Sequence, residues 1–587
     1  MTNDVFIVYY VLMYIDAVPN RNSRPTTLLR EGWREGKKTF VRTIANITHW
    51  PDSKIKAFRA LLKGKALVPA DELLTIEKTT PHGHVEAVLG TIKKLKLDSM
   101  IFSKPCRERN LVLAMIIERL IYPCSKLATT RAWNSTSLSM ELGVDNANED
   151  DLYHAMDWLV ARQSKIENKL AKKHLKEGSL VLWDTSNSHY EGRKCPLIAF
   201  GRAKGGIKGK PIIAYGVMTD YEGRPISVHV YPGNTADSKT VPDQVDKLRN
   251  RFKLSHVVLV GDRGMLTQTQ IDTIKQYPAI SWISALKSTS IQELVRKGEL
   301  QLSLFDKQNL AEISSKDYPD ERLIVCYNPL MAEERDRKRV SLLEATEKRL
   351  EKIKKQVDKR TKKPLKKAEI GVKVGKVINI YKVGKHFKLT IKNNLFEWKR
   401  KKHLIEKEAQ LDGFYVIRTK EPEKRMSADD VVRSYKSLSH VERAFRTLNG
   451  MDLLIRPICH RLEVRVRAHI FICLLSYYVE WHMRKPLAPL LFDDEELDVN
   501  RKTRDPVAPA EPSDSSKKKK KVRKTKDGFP VHSFRTLLME LGTRSKNLCK
   551  LKSSPDSPAF YQTTEFNPIQ KKAFQLLDLY PVNGISK

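Results

Sequence analysis

Near residue 179 the hydrophobic period of the chain changes, and that change limits what the chain can fold into. From about 81 to 177, apolar residues recur at spacings of three and four. VEAVLGTIKKLKL, ERNLVLAMIIERLIYP and DLYHAMDWLVARQSKIENKLAKKHL all show it, the period of amphipathic helices. Glu149, Asp150 and Asp151 place acids in the first turn of the last of these, where the helix dipole favours them. From 179 onward, compact apolar runs take over: SLVLWDT (179–185), PIIAYGVMT (211–219), PISVHVY (225–231) and HVVLV (256–260). These read as strands, the second and third joined by the turn DYEGR. Helical stretches at 237–252 and 267–277 alternate with them, and 280–286 is again a strand.

Three strands, helix, strand, helix, strand is the order of a ribonuclease H-like mixed sheet, so the fold class is α/β. The rhythm breaks at 288–411, where a basic helical stretch (335–367) is followed by alternating segments such as KVINIYKV and HFKLTI. That interval reads as a mostly β insertion. The sheet pattern returns in GFYVIR (413–418), and two strong helices follow at 428–448 and 461–485. The expected organisation is an N-terminal β/α segment (1–64), a mainly helical region (65–178) and a first half of the core (179–287). After the basic helix and β insertion (288–411) come the second half of the core (412–498), a disordered basic linker (499–528) and a C-terminal tail (529–587). In the first segment two strands flank REGK and a helix spans 51–62; the tail holds one helix at 533–541.

Charge narrows the partner. The chain has 107 Lys+Arg against 69 Asp+Glu, a formal net charge of +38, which calls for a polyanion. The apolar run VFIVYYVLMYI (5–15) is shorter than the roughly 20 residues a membrane span needs. It also lacks the flanks of a signal peptide. No membrane is expected, and nucleic acid is the partner. The seven cysteines (106, 124, 195, 326, 459, 473 and 549) form no CxxC pair, so neither zinc ligation nor a disulfide framework is expected.

Cutting nucleic acid with two divalent ions needs carboxylates on rigid elements that meet at one sheet edge. Three acids suit. Asp184 ends LVLW on the strand face of Leu180 and Leu182; the alternative is an Asp capping the loop TSNSHYEG. Asp262 follows VVLV between Gly261 and Gly264, where backbone, metal or phosphate can come close; the alternative is an ordinary turn. Glu442 falls on the stripe Val431, Tyr435, Leu438, Phe445, which calls for a partner. That partner is either a metal or a cation from Arg443, Arg446 or His440.

With these positions the chain resembles bacterial insertion-sequence transposases of the DDE superfamily, in the group with a tyrosine-arginine-glutamate-lysine signature. The segments that carry the likeness are VLWDTSNSHYEG, KGKPIIAYGVMTDYEGRPISVHVYPGNTAD, VVLVGDRGM, LDGFYVIRT and YKSLSHVERAFRTLNGMDLLIRPICHRLEVRVRAHIFICLLSYYVEWHM. The resemblance runs from about Met13 to the C-terminus, so residues 1–12 read as an upstream start. It implies a ribonuclease H-like core interrupted before its last helix, with Asp184, Asp262 and Glu442 as the acid triad. It further implies two Mg2+ (or Mn2+) ions, cleavage at element ends with strand transfer by a 3′-hydroxyl, and a homodimer on paired ends of double-stranded DNA at the nucleoid. In the signature Tyr435 and Glu442 fit, Leu438 holds the arginine position and Asn449 the lysine position. Val464 stands where relatives have aspartate. A missing lysine removes one phosphate contact.

For DNA the candidates are Tyr435, Lys436, Arg443 and Arg446, with the basic run at 348–367 as a further contact or a solvated helix face. Lys517–Lys521 reads as a flexible tether. Recognition of the element ends is assigned to the region before about 178 on the resemblance alone. The other functions considered are a nuclease of the same fold and a DNA-binding relative whose catalysis has lapsed.

Overall fold

The computed structural model describes residues 12–579 except 22, 66–73, 205–206, 208, 307 and 553–557. The apolar run at 5–15 lies outside these residues up to position 11, as do the upstream start and the end of the tail beyond 579. The chain divides into two compact units, one running up to Thr79 with Lys546–Thr564, the other Thr80–Ser545 with the chain from Glu565 on.

In the smaller unit, β1 (Leu12–Val18), β2 (Thr26–Glu35) and β3 (Lys38–Asn46) form an antiparallel meander. Gly36 turns β2 into β3 at φ 58°, a left-handed conformation that glycine adopts without a Cβ penalty. Helix α1 (Asp52–Leu62) packs on β1 and buries Ile55. A second small sheet has the order β16 (Phe560–Thr563), β15 (Ser545–Leu551), β4 (Leu74–Pro81).

The larger unit begins with helices, among them α2 (Gly83–Leu95), α3 (Arg107–Ile121), α4 (Glu149–Val160) and α5 (Gln163–His174). Asn148 and Asp151 cap the start of α4 reciprocally, satisfying two of its free N–H groups. The chain then enters β5 (Ser179–His189), β6 (Ile212–Asp220), β7 (Pro225–Pro232), β8 (Val257–Val260), β9 (Ile280–Ala285), β10 (Leu310–Ile313), β11 (Arg322–Tyr327) and β14 (Phe414–Thr419). Their order in one eight-stranded sheet is β10-β11-β14-β9-β8-β5-β6-β7. The pairs β5–β8 and β8–β9 are parallel and the others antiparallel.

Both faces of this sheet are covered, which is why β6 is buried along its whole length. Val181, Trp183, Met218 and Leu259 join one core. Leu182, Val217, Val260 and the helices α10 (Leu438–Asn449) and α11 (Glu463–Leu487) join the other. Because strand side chains alternate, Asp184 lies on the α10 side, with Leu180 and Leu182.

Four expectations are corrected. The interval 288–411 is not a mostly β insertion: β10 and β11 belong to the main sheet. The chain leaves the sheet only after Tyr327 and re-enters at Phe414, and in between it is mainly helical. It forms α7 (Pro329–Asp358), α8 (Lys367–Ile378), the hairpin of β12 (Phe387–Lys392) with β13 (Leu395–Arg400), and a helix at Lys402–Ala409. The segment KVINIYKV (376–383) forms no strand: its first three residues end α8, whose Ile370, Val374 and Ile378 recur at four and bury a helical stripe, and the remainder is turn. The single helix at 428–448 is two, α9 (Ala428–Lys436) and α10. They break at Ser437, whose hydroxyl donates to the Arg433 carbonyl at 3.0 Å, a bond that competes with the helix ladder.

The linker at 499–528 is not disordered throughout. It contains helices Leu497–Thr503 and Asp514–Val522, the latter capped by Ser513. Lys519, expected in a flexible tether, is buried and donates to the Ala488 and Asp493 carbonyls at 2.9 and 2.8 Å. Its alkyl stem and charge both find partners, which composition alone does not reveal. Among the described residues no helix is long and apolar enough to cross a membrane. All seven cysteines are free.

Candidate active site

Asp184 and Asp262 are neighbours by strand register. β5 and β8 pair in parallel from Ser179 opposite Val257 to Leu182 opposite Val260, an offset of 78 throughout. Both acids lie two residues beyond the last pair of that register, Leu182 with Val260, and the Asp262 carboxylate is near enough to act on Asp184 electrostatically. β8 ends at Val260 and is released into Gly261, while β5 continues to His189 against β6 alone. The sheet thus opens between the strands at this point, so an acid can face a cleft instead of a neighbouring strand. Asp184 is therefore not at a strand terminus, as LVLWD suggested, but two residues past the end of a pairing.

Asp184 is half-buried and Asp262 exposed. Burial lifts the Asp184 carboxyl to about 6, with the carboxylates of Asp237 and Asp262 adding to the effect. The Lys204 ammonium and the Thr185 N–H, which donates to Asp184 Oδ1 at 2.7 Å, oppose it. The Tyr435 hydroxyl donates to Asp262 Oδ1 at 3.5 Å, and burial with that neighbouring charge raises the phenol.

Glu442 reaches the site by a different route from the one its spacing suggested. The break at Ser437 shifts the helix phase, so α10 buries Val441, Ala444, Phe445 and Leu448 against the sheet. Glu442 is exposed. It is not in the apolar stripe. It sits beside that stripe and lines, with Asp184, Lys204, Arg446, Asn449 and Arg456, a cavity of about 370 Å³. Asp262 lines a neighbouring cavity of about 340 Å³ with Arg263, Tyr435 and Lys436.

Among the described residues no three His, Cys, Asp or Glu side chains converge as a metal-holding group. The three acids share one sheet face without meeting at one point. Their chemistry nevertheless fits a hard divalent cation: the donors are carboxylate oxygens with no softer ligand among them, and two of the three are exposed enough to turn inward.

The remaining candidates divide. Arg443 and Arg446 are exposed, make no ion pair among the described residues, and line a cavity of about 600 Å³ beside Asp452, Arg484 and Lys485. Lys436 is turned inward: its ammonium donates to the Val507 and Ala508 carbonyls at 3.0 and 2.9 Å. Asn449 accepts from the Tyr215 hydroxyl at 2.7 Å and Ser188 at 3.0 Å and donates to Ser186 at 3.3 Å, pinning the end of α10 to β5 and β6. Two residues at the site had not been singled out, Asp237 and Lys204. The signal for the first was an acid in the turn after β7, within PGNTAD; nothing local marked the second.

Residues 199–479 match the family model for the transposase DDE domain, so the chain carries a domain of that family. The match takes in Asp262 and Glu442 and begins after Asp184. Among solved structures, one similar to this chain is a piggyBac transposase synaptic complex with hairpin DNA. It is 10% identical, covers 78% of this chain and 76% of its own, and has a TM-score of 0.32. No curated protein matches this chain.

Proposed function

We propose that this chain is a bacterial insertion-sequence transposase that cuts DNA at the ends of its element and joins them to target DNA, with Asp184, Asp262 and Glu442 as the acids. The observation that supports this reading is that Asp184 and Asp262 each follow the last paired residues of the neighbouring parallel strands β5 and β8, and that Glu442 of α10 lines the same cavity as Asp184. A ribonuclease H-like core, entered at β5 and interrupted between β11 and β14, accounts for that arrangement.

The DDE domain supports DNA as the partner and divalent ions as the cofactor. Two ions, Mg2+ or Mn2+, held by the three carboxylates, would activate the attacking hydroxyl or water and neutralise the leaving oxygen. The protein's own groups do the rest. Tyr435 fixes the Asp262 carboxylate through its hydroxyl. Arg443 and Arg446 offer charge to phosphates along the cleft. Two copies on paired ends, acting at the nucleoid in the cytoplasm, complete the reading.

A second reading, a DNA binder whose cleavage has lapsed, has one observation in its favour. Asn449, where lysine is expected, turns its amide into the sheet and offers no charge to a phosphate. Incubating the protein with an end duplex, a target plasmid and Mg2+ separates the readings. Joined product supports transposition, cutting alone supports a nuclease, and a mobility shift without cutting supports the binder. Asp184→Ala, Asp262→Ala and Glu442→Ala should each abolish cutting and spare binding; retained cutting in any one removes that residue from the triad.

A further inference from the structure

The Lys204 ammonium is delivered to the acidic site by a built arrangement. Buried Asn187, on β5 three residues past Asp184, accepts from the Lys204 backbone N–H at 2.9 Å and donates to the Arg202 carbonyl at 3.0 Å. The loop is thereby tied to the strand that carries the first acid. From that anchor Nζ donates to three oxygens: the Thr185 carbonyl at 3.1 Å, the Thr185 hydroxyl at 2.9 Å and Asp237 Oδ2 at 2.9 Å. The Thr185 hydroxyl in turn donates to Asp237 Oδ1 at 2.6 Å, which closes the ring. Lys204 and Asp184 line the same cavity. A surface ion pair at about 40% exposure is ordinarily worth little. This one differs in being held from both ends, and in presenting a cation to a set of hard oxygens.

We propose that Lys204 is the built-in counterion of the acidic site, a positioning residue that holds Asp237 and Thr185 beside Asp184 and competes with divalent cations for that corner. The inference rests on the reading of Asp184 as a metal-holding acid. Its physical basis is twofold. A fixed ammonium within a few ångström repels a divalent cation with twice the energy it would a monovalent one. It also spares the metal-free fold two adjacent uncompensated carboxylates, Asp184 and Asp237.

The test is Mn2+ binding to the full-length, DNA-free protein, followed by electron paramagnetic resonance at pH 7.5. Lys204→Met keeps the side chain's length without its charge and should tighten Mn2+ binding about tenfold, the scale of one nearby charge at partial exposure. Lys204→Arg should bind as the parent does. Asp237→Asn should weaken binding several-fold, because it removes negative potential and frees Lys204 to pair with Asp184. Unchanged or weaker binding in Lys204→Met overturns the proposal. Should that variant fail to fold, as judged by its thermal transition, Asp237→Asn decides, and unchanged binding there overturns it equally. Asp184→Asn is the control. If it weakens Mn2+ binding while Lys204→Met does nothing, only the counterion inference fails. If it binds like the parent, the metal-site reading fails and takes this inference with it.

Discussion

An acid that works by holding a cation should cost the cation-free protein stability, and Asp184 allows the cost to be worked out. Its carboxyl is lifted from an ordinary 3.8 to about 6, first by burial and then by Asp237 and Asp262. At about 1.4 kcal/mol per unit, keeping it ionised in the fold costs about 3 kcal/mol at neutral pH. Partial contact with water in the cleft reduces the realised figure to about 1–2 kcal/mol. The folded value lies above the unfolded one, so the penalty is absent below pH 3.8, grows as pH rises, and is complete above about 6. Asp184→Asn keeps the oxygen that accepts the Thr185 N–H and carries no such penalty. In EDTA at pH 7.5 the variant should therefore unfold about 1–3 °C above the parent by scanning calorimetry. The gap should shrink to about half at pH 5, where only part of the titration has occurred. The same variant should be inactive. An equal or lower transition at pH 7.5, or a gap that does not change with pH, would refute the assignment of Asp184 as a strained, cation-seeking acid.

Other substitutions test the remaining parts. Arg446→Ala should lower the slope of log affinity against log salt for DNA by about one. Lys436→Ala should leave that slope alone and cost about 1–2 kcal/mol of stability, because its ammonium holds two backbone carbonyls; filter binding at several salt concentrations distinguishes them. Gly216→Ala places a methyl inside the fully buried Trp183 ring on the strand next to Asp184. Overpacking of that kind should cost about 1–3 kcal/mol in a thermal scan. Glu118 on α3 is 2% exposed, neither carboxylate oxygen has a hydrogen-bond partner among the described residues, and burial lifts it to about 8. Its penalty is absent below pH 4.5 and complete above 8, so Glu118→Gln should stabilise at pH 8 and change nothing at pH 4.5.

The acids differ in how far they could be read. Asp184 and Asp262 were legible because each ends a short apolar run, and such runs are strands of a buried sheet whatever the partner. Glu442 was picked for a reason that does not hold. Counting apolar residues through 431–445 assumed one continuous helix, and the break at Ser437 moves Glu442 from the stripe to its edge. It still faces the cleft, since α10 lies along β5. The basic residues were the least legible. Lys436 and Lys519 looked like solvent or DNA contacts, yet both bury their ammonium groups against backbone carbonyls. Hydrogen-bond acceptors brought from 70 or 30 residues away leave no mark in the local sequence.

The sequence by itself determined the alternation of strand and helix from 179 onward, the basic surplus and the two acids that close apolar runs. All three follow from local chemistry: side-chain period, charge and where an apolar run stops. Only the tertiary structure decided which strands lie side by side, and so which acids come near each other. It also decided that the chain returns to the sheet at β10 and β11 before the insertion leaves it. Pairing partners are chosen by the burial of whole faces, over distances no local window contains, and the same burial brought Asp237 and Lys204 to Asp184.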